Sequence, residues 1–368
     1  MFKEAIRAFA LAEIAPLVSE MDSNQEIAPE LIKMIFDMGL MSIEIPEEYG
    51  GSQSSFFNSI ILIEEISRVD PSVAILVDVQ NTLVNNAVYR WGSKEVRSRY
   101  LPKLASEWIG AYALSESVSG SDAFGLKCQA NQSGNDWVIN GRKLWVTNAA
   151  EASMYIVFAN VNPIIGYKGI TAFLVERDAQ GLSVGKKEDK LGIRASSTSE
   201  LILENVKIPS ERILGSIGEG YKVAIETLNE GRIGIGAQMI GLAQGALDHT
   251  KKYIKEREQF GQPISDFQGV QFQIAEAATN LEASRLLVYN AARLKDEGKD
   301  FLVPAAMAKL HSSKMAQSVT SLCVDLHGGY GFTSEYPVEK FYRDSKIGTI
   351  YEGTTNMQLQ TIAKGLLK

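Results

Sequence analysis

The chain of 368 residues is long enough for two or three domains of roughly 150 residues each, and its 45% hydrophobic and 22% charged residues fit a globular protein with a large core. A net charge of -7 argues against nucleic acid or a membrane surface as partner, because both need clustered basic residues. Two cysteines (Cys128, Cys323) and three histidines (His249, His311, His327) supply no disulfide framework and no metal-ligand spacing, so the chemistry must come from carboxylates or an organic cofactor in a reducing compartment.

Up to about Ile109 the apolar spacing is helical: Phe9, Ile14 and Leu17, then Leu31, Ile35 and Met38 ending at Gly39, then Ile60, Ile63 and Ile66. Pro102 is expected to interrupt the last of these segments. Residues 1–110 are read as an α-helical domain. No Arg-rich or apolar leader precedes Phe2, and the helical pattern opens at once, as it would after removal of a presequence.

Residues 111–217 change to strand patterns: Ala111 to Leu114, Tyr155 to Phe158, Ile170 to Val175 and Leu201 to Leu203. Asn140-Gly141, between Trp137-Val138-Ile139 and Arg142 to Thr147, predicts a two-residue hairpin. A period of two then puts Trp145 and Thr147 on one face, Leu144 and Val146 on the other. This is an expected antiparallel β domain. The tract Leu114-Ser115-Glu116-Ser117-Val118-Ser119-Gly120-Ser121-Asp122 offers backbone and hydroxyl donors to a polar ring edge or a phosphate, though such a tract by itself is most often just a turn.

Residues 218–368 return to long helical segments, Tyr221 to Lys255, Phe267 to Lys295 and Phe301 to Leu326, as in an antiparallel bundle. The glycine-spaced stretch Ile233 to Leu247 is too short to span a membrane and reads as a packed helix. Gly231, Gly234, Gly236, Gly241 and Gly245 fall in one helix, each costing about 1 kcal/mol against alanine; Gly231 and Gly234 are the candidates for ligand clearance. Arg257, in the charged connection that also carries Phe260, has the guanidinium for a phosphate, though a solvated face is the ordinary reading of such a run. Three glycines after Asp325-Leu326-His327 exceed what a helix stop needs. His327 reads as packed or backbone-bonded, near the site and without a catalytic part.

Lys346 to Asn356 places Glu352 between an apolar approach (Ile347, Ile350, Tyr351) and Gly353. A dry wall raises a carboxyl pKa toward the range of a general base. Thr354, Thr355 and Asn356 are N-cap residues whose helix could receive a polar ligand. Taken alone, the tract also reads as a capped terminal helix.

Together, in this order, these tracts resemble the acyl-CoA dehydrogenase family over essentially the whole chain, most specifically through Ala113 to Glu116, Gly120 to Asp122 and Asp325 to Asp344. Gln80 to Leu83, Ile165 to Thr171, Asn229 to Gly234 and Lys346 to Asn356 are most similar to its short/branched-chain (2-methylbutyryl-CoA) members. The resemblance implies an α+β fold of helical, β and helical-bundle domains, and FAD as cofactor. Tyr112, Leu114, Ser115, Gly120, Ser121, Trp145, Val146 and Thr147 would line the flavin. Arg257, Phe260, Gln268, Asp325, Leu326, His327, Gly328 and Gly329 would hold its pyrophosphate and adenosine across a subunit boundary, and Thr354, Thr355 and Asn356 would complete the site. A homotetramer, a dimer of dimers, follows.

For an acyl-CoA substrate the matching positions are Ser121, Tyr167, Tyr221, Asn229, Glu230, Gly231, Arg232 and Gly353, with Glu352 as base. Relatives that carry the base on the helix before the arginine are not followed, because that position is Gly231. The loop departs from the family at Ser117-Val118-Ser119, where proline, glycine or alanine is usual, which loosens it around the flavin. The implied reaction removes the α-proton and passes the β-hydrogen as hydride to the flavin, giving trans-2-enoyl-CoA. Electrons go to electron-transfer flavoprotein, in the mitochondrial matrix or a bacterial cytoplasm. The rival readings are the reverse reaction, as a 2-methyl-branched enoyl-CoA reductase, and a noncatalytic acyl-CoA-binding protein.

Overall fold

The computed structural model describes residues 1–367. Its first region is helical: α1 (Phe2–Phe9), irregular turns through Pro16, α2 (Val18–Asn24), α3 (Pro29–Asp37), α4 (Phe56–Ser67), α5 (Pro71–Asp78), a wide turn at Val79–Asn85, α6 (Asn86–Trp91) and α7 (Lys94–Ser106). Local chemistry sets the starts. Ser55 caps α4 by accepting from the Asn58 N–H, and the Asp70 carboxylate accepts from the N–H groups of Ser72 and Val73 ahead of Pro71. Pro102 sits inside α7 and does not end it, contrary to expectation.

Residues 70–88 are buried on every face, so the wide turn is a central strut. Its polar side chains tie the helical region to the sheet. Gln80 donates to the carbonyls of Leu104 and Trp108 and accepts from the Gly110 N–H, while Asn81 donates to the carbonyl of Leu40 and accepts from the Ile43 N–H.

The middle region is one sheet of β1 (Gly110–Ala113), β2 (Gln129–Ser133), β3 (Asp136–Thr147), β4 (Met154–Asn160), β5 (Ile170–Glu176), β6 (Leu182–Lys187), β7 (Thr198–Pro209) and β8 (Ile213–Leu214), in the order β6-β7-β3-β2-β4-β5-β8, with β1 beside β4. The sheet is mixed, not purely antiparallel, because β1 runs parallel to β4 and β2 meets β4 in parallel at its end. The intervening segment that returns the chain is long enough for a parallel crossover.

The Asn140-Gly141 hairpin is also overturned: β3 runs straight through it, and the tight turn is Gly134-Asn135, with Ser133 paired to Asp136. Asn140 instead faces a bulge in β7, where Asn205 takes φ 56° and its N–H donates to Asn140 Oδ1. A second bulge between Lys143 and Val146 breaks the alternation, burying both and leaving Trp145 62% exposed. Alternation does hold along β4. Met154, Ile156 and Phe158 pack toward the helices, whereas Tyr155, Val157 and Ala159 fill a second core within the sheet.

The last region contains α8 (Gly220–Glu256), α9 (Gln268–Asp296), α10 (Leu302–His327), α11 (Val338–Ser345) and α12 (Thr355–Leu366). The α8 glycines explain themselves by what they touch. A Cβ at Gly241 or Gly245 would overlap the backbone carbonyl of Glu64 or Arg68, and one at Gly236 would lie 2.7 Å from Val288. Among the described residues no helix is long and apolar enough to cross a membrane, and no group of three or more His, Cys, Asp or Glu is disposed to hold a metal.

Candidate active site

Glu352 sits in a turn of two left-handed residues, φ 51° for Glu352 and 86° for Gly353, directly before α12. Gln358 Nε2 donates to the carbonyls of Glu352 (3.1 Å) and Gly353 (2.8 Å), and Lys309 Nζ from α10 donates to the Gly353 carbonyl at 2.7 Å. Glu352 Oε2 is sealed from solvent without a hydrogen-bond partner. Burial pushes its pKa up to about 7 against the opposing pull of Lys309 and Arg232. The expected isoleucine wall is not the cause: Ile350 is 51% exposed, since the chain leaves the preceding turn with that side chain outward. Tyr351 stays in the wall as expected, its hydroxyl donating to Gln238 Oε1, and Leu83 joins it where Ile350 does not.

Gly231 and Gly234, one turn apart on α8, each make room for a carboxyl group. A Cβ at Gly231 would lie 2.9 Å from Glu352 Oε2 and 3.1 Å from Leu83, while one at Gly234 would overlap Asp78 Oδ1. Asp78 is buried, its pKa raised well above the ordinary value by desolvation, and it accepts from Thr82 Oγ1 at 2.8 Å. Glu230, expected among substrate contacts, has its carboxylate engaged elsewhere, by Arg90 (2.7 Å) and Asn86 (2.8 Å) of α6. Arg232 is half-buried, with Nη1 bonded to Asn229 Oδ1 at 2.9 Å and Nε unpartnered.

On the sheet side, Tyr112 of β1 shares a 2.9 Å hydrogen bond with Thr227 of α8. The following loop is firmly held despite lacking proline. Glu116 accepts from Lys143 Nζ (2.6 Å) and from the N–H groups of Lys127 and Cys128, and the Leu144 N–H donates to the Ser115 carbonyl. Because that ion pair is buried and fully bonded, the loop is anchored from below while Gly120 and Ser121 stay exposed. Trp145 is exposed beside buried Val146 and half-buried Thr147. Tyr167 and Tyr221 stack edge to face at 5.0 Å, with Phe124 joining both.

A separate groove of about 500 Å³ gathers Arg257, Asp325, Leu326, His327, Gly328 and Gly329. His327 is backbone-bonded, Nδ1 to the Cys323 carbonyl at 2.7 Å, and stacks on Tyr253 at 4.2 Å. Gly328 and Gly329 have nothing within 4 Å of an added Cβ. Phe260 is 95% exposed and Gln268 is exposed at the start of α9; neither lines the groove. Thr354 begins α12 without a side-chain cap, leaving the first N–H groups of Thr355 and Asn356 open to a ligand.

Lys309, Gln358, Asp78, Phe124 and Thr227 escaped the sequence reading. Two left a trace there: Asp78 interrupts the apolar run Val73 to Val79, and Lys309 stands among Ala305, Ala306 and Ala308 on a buried face. Gln358 left none.

Three family models cover the chain: acyl-CoA dehydrogenase N-terminal domain at residues 1–107, middle domain at 111–206 and C-terminal domain at 218–367. A short/branched chain specific acyl-CoA dehydrogenase, mitochondrial, of Rattus norvegicus is 55% identical over 99% of this chain and 84% of its own length. Butyryl-CoA dehydrogenase from Megasphaera elsdenii superposes with a TM-score of 0.98 at 39% identity, covering 100% of this chain and 97% of that one. A glutaryl-CoA dehydrogenase from Mycobacterium smegmatis in complex with FADH2 superposes at 0.94 with 31% identity, covering 99% and 93%.

Proposed function

The chain belongs to the acyl-CoA dehydrogenase family, an FAD-dependent oxidoreductase family acting on acyl-CoA, and from that premise we propose that it oxidises short, branched acyl-CoA thioesters of the 2-methylbutyryl class to trans-2-enoyl-CoA with Glu352 as base. The observation that carries this reading is the sealed, unpaired Glu352 oxygen with a pKa near 7. Such a group is poised both to take and to release a proton at neutral pH.

The residues present fit FAD. The exposed Trp145 face and the donors of Ser115 to Ser121 suit a polar-edged ring, Arg257 and the open glycines suit a diphosphate, and the uncapped start of α12 suits a polar group. FAD when bound supplies the hydride acceptor. Glu352 removes the α-proton. Among the described residues the amide N–H groups of Glu352 and Gly353 make no hydrogen bond, so the Glu352 N–H is free to stabilise charge on the thioester oxygen, a donor typically worth about 3–4 kcal/mol. Tyr167, Tyr221 and Arg232 orient the thioester and exclude water.

Electron-transfer flavoprotein is the proposed acceptor. Exposed Phe260 and Gln268 support a homotetramer in which one copy completes another's adenosine site. The relative's mitochondrial designation supports the matrix, or the cytoplasm in a bacterium. The test is Glu352→Gln. The variant should remain yellow and FAD-loaded yet fail to bleach with 2-methylbutyryl-CoA, and near-normal bleaching removes the assignment. Mixing reduced enzyme with the enoyl-CoA reports the reverse direction.

A further inference from the structure

Lys309 is 1% exposed and, among the described residues, has no carboxylate within ion-pairing distance; its hydrogen bond goes to the Gly353 carbonyl. A buried ammonium without a bonded anion is costly to keep, and a methionine would fill the same space without that desolvation. The fold therefore retains this charge against its own stability. What it touches is the turn that carries Glu352.

That turn has a specific problem. Glutamate at φ 51° is disfavoured, and the carbonyls of Glu352 and Gly353 would be left without partners in the interior unless donors reach them. Gln358, fully buried, reaches both, and Lys309 reaches the second from the opposite helix. With both carbonyls held inward, the two amide N–H groups are left for a ligand.

We infer that Lys309 is a positioning residue for the base: with Gln358 it clamps the Glu352–Gly353 turn, and its charge favours the Glu352 carboxylate between turnovers. This deepens, and rests on, the reading of Glu352 as base. The groups facing Glu352 are Lys309 from α10, Arg232 from α8, Asp78 from the end of α5, Tyr112 from β1 and its neighbour Tyr351. Burial favours the neutral form of Asp78 and of both tyrosines, and Lys309 and Arg232 are the two cations that face Glu352. Arg232 is half-buried and also held by Asn229. Lys309, whose own pKa is lowered by burial to about 8, is the cation that also bonds the turn.

Two variants separate the clamp from the charge. In FAD-loaded Lys309→Met, single-turnover flavin reduction should fall by up to roughly a hundredfold at its plateau, and the acid limb should move up by about one pH unit, since loss of a nearby cation raises the proton affinity of Glu352. In Gln358→Leu, which leaves every charge in place, the plateau should fall while the limb stays. Difference infrared titration of the Glu352 carboxyl, identified against Glu352→Gln, reads the same shift without turnover. Failure of Glu352→Gln to abolish reduction would sink the base reading alone, because the infrared titration still reports whether Lys309 controls that carboxyl. An unmoved carboxyl titration in Lys309→Met overturns the inference, as does an unchanged plateau in Gln358→Leu if Lys309→Met does not fold.

Discussion

Around Glu352 the groups are sealed: one carboxylate oxygen without a partner, a buried Lys309, a buried Asp78, and two glycines whose missing side chains are filled by carboxyl groups. Around Arg257 the groups are open, with glycines facing empty space and Phe260 standing in solvent. Both regions are rich in glycine and charge, yet the first uses glycine to bring protein atoms together and the second to keep them away. Desolvation raises the proton affinity of a carboxylate, while an open groove with one guanidinium on its wall suits an anion whose own charge remains partly solvated.

The sharpest way to break this contrast is pH. If burial of Glu352 sets the chemistry, flavin reduction in the wild type should fall about tenfold per pH unit below pH 7, since protonation removes the base, and Glu352→Gln should lose about 10²–10⁴ in rate on the plateau above pH 7, a deficit that narrows as the pH falls. A flat profile from pH 5 to 8 would show that the carboxyl is not desolvated in the loaded enzyme. Next in size, Arg257→Ala should weaken FAD retention on gel filtration by about ten- to a hundredfold, the worth of a charged hydrogen bond of roughly 1.5–3 kcal/mol, with the reduction rate of the still-loaded fraction unchanged.

The glycines give the smaller effects. Gly231→Ala should lower stability by about 1–3 kcal/mol in thermal unfolding, because its Cβ would press on Glu352 Oε2 and Leu83. Gly329→Ala meets nothing and should change stability by no more than about 0.5 kcal/mol while reducing FAD retention. Equal destabilisation by the two would erase the distinction between a packed and an open glycine.

Much of the site lay in short tracts. Glu352, the helix start at Thr354, Arg257 and the Asp325 to Gly329 stretch each carry their signal within a few residues, though Thr354 makes no side-chain cap, and His327 is both packed and backbone-bonded. The misreadings share one cause. Asn140-Gly141 is a strong local turn signal, but β7 placed a bulge opposite it and kept the strand running. Pro102 was absorbed within α7, and the wall of Glu352 came from Leu83, far away in sequence, rather than from Ile350.

By itself the sequence determined the helix, strand and helix succession, because periodicity and capping act over one or two turns, and it marked Glu352 as the candidate base once the tract was set beside the family it resembles. The tertiary structure decided which charges would face that base. Lys309, Asp78 and Gln358 reach the Glu352 turn from three separate segments, and the burial that raises its pKa is a property of the assembled interior, which no short stretch of chain possesses.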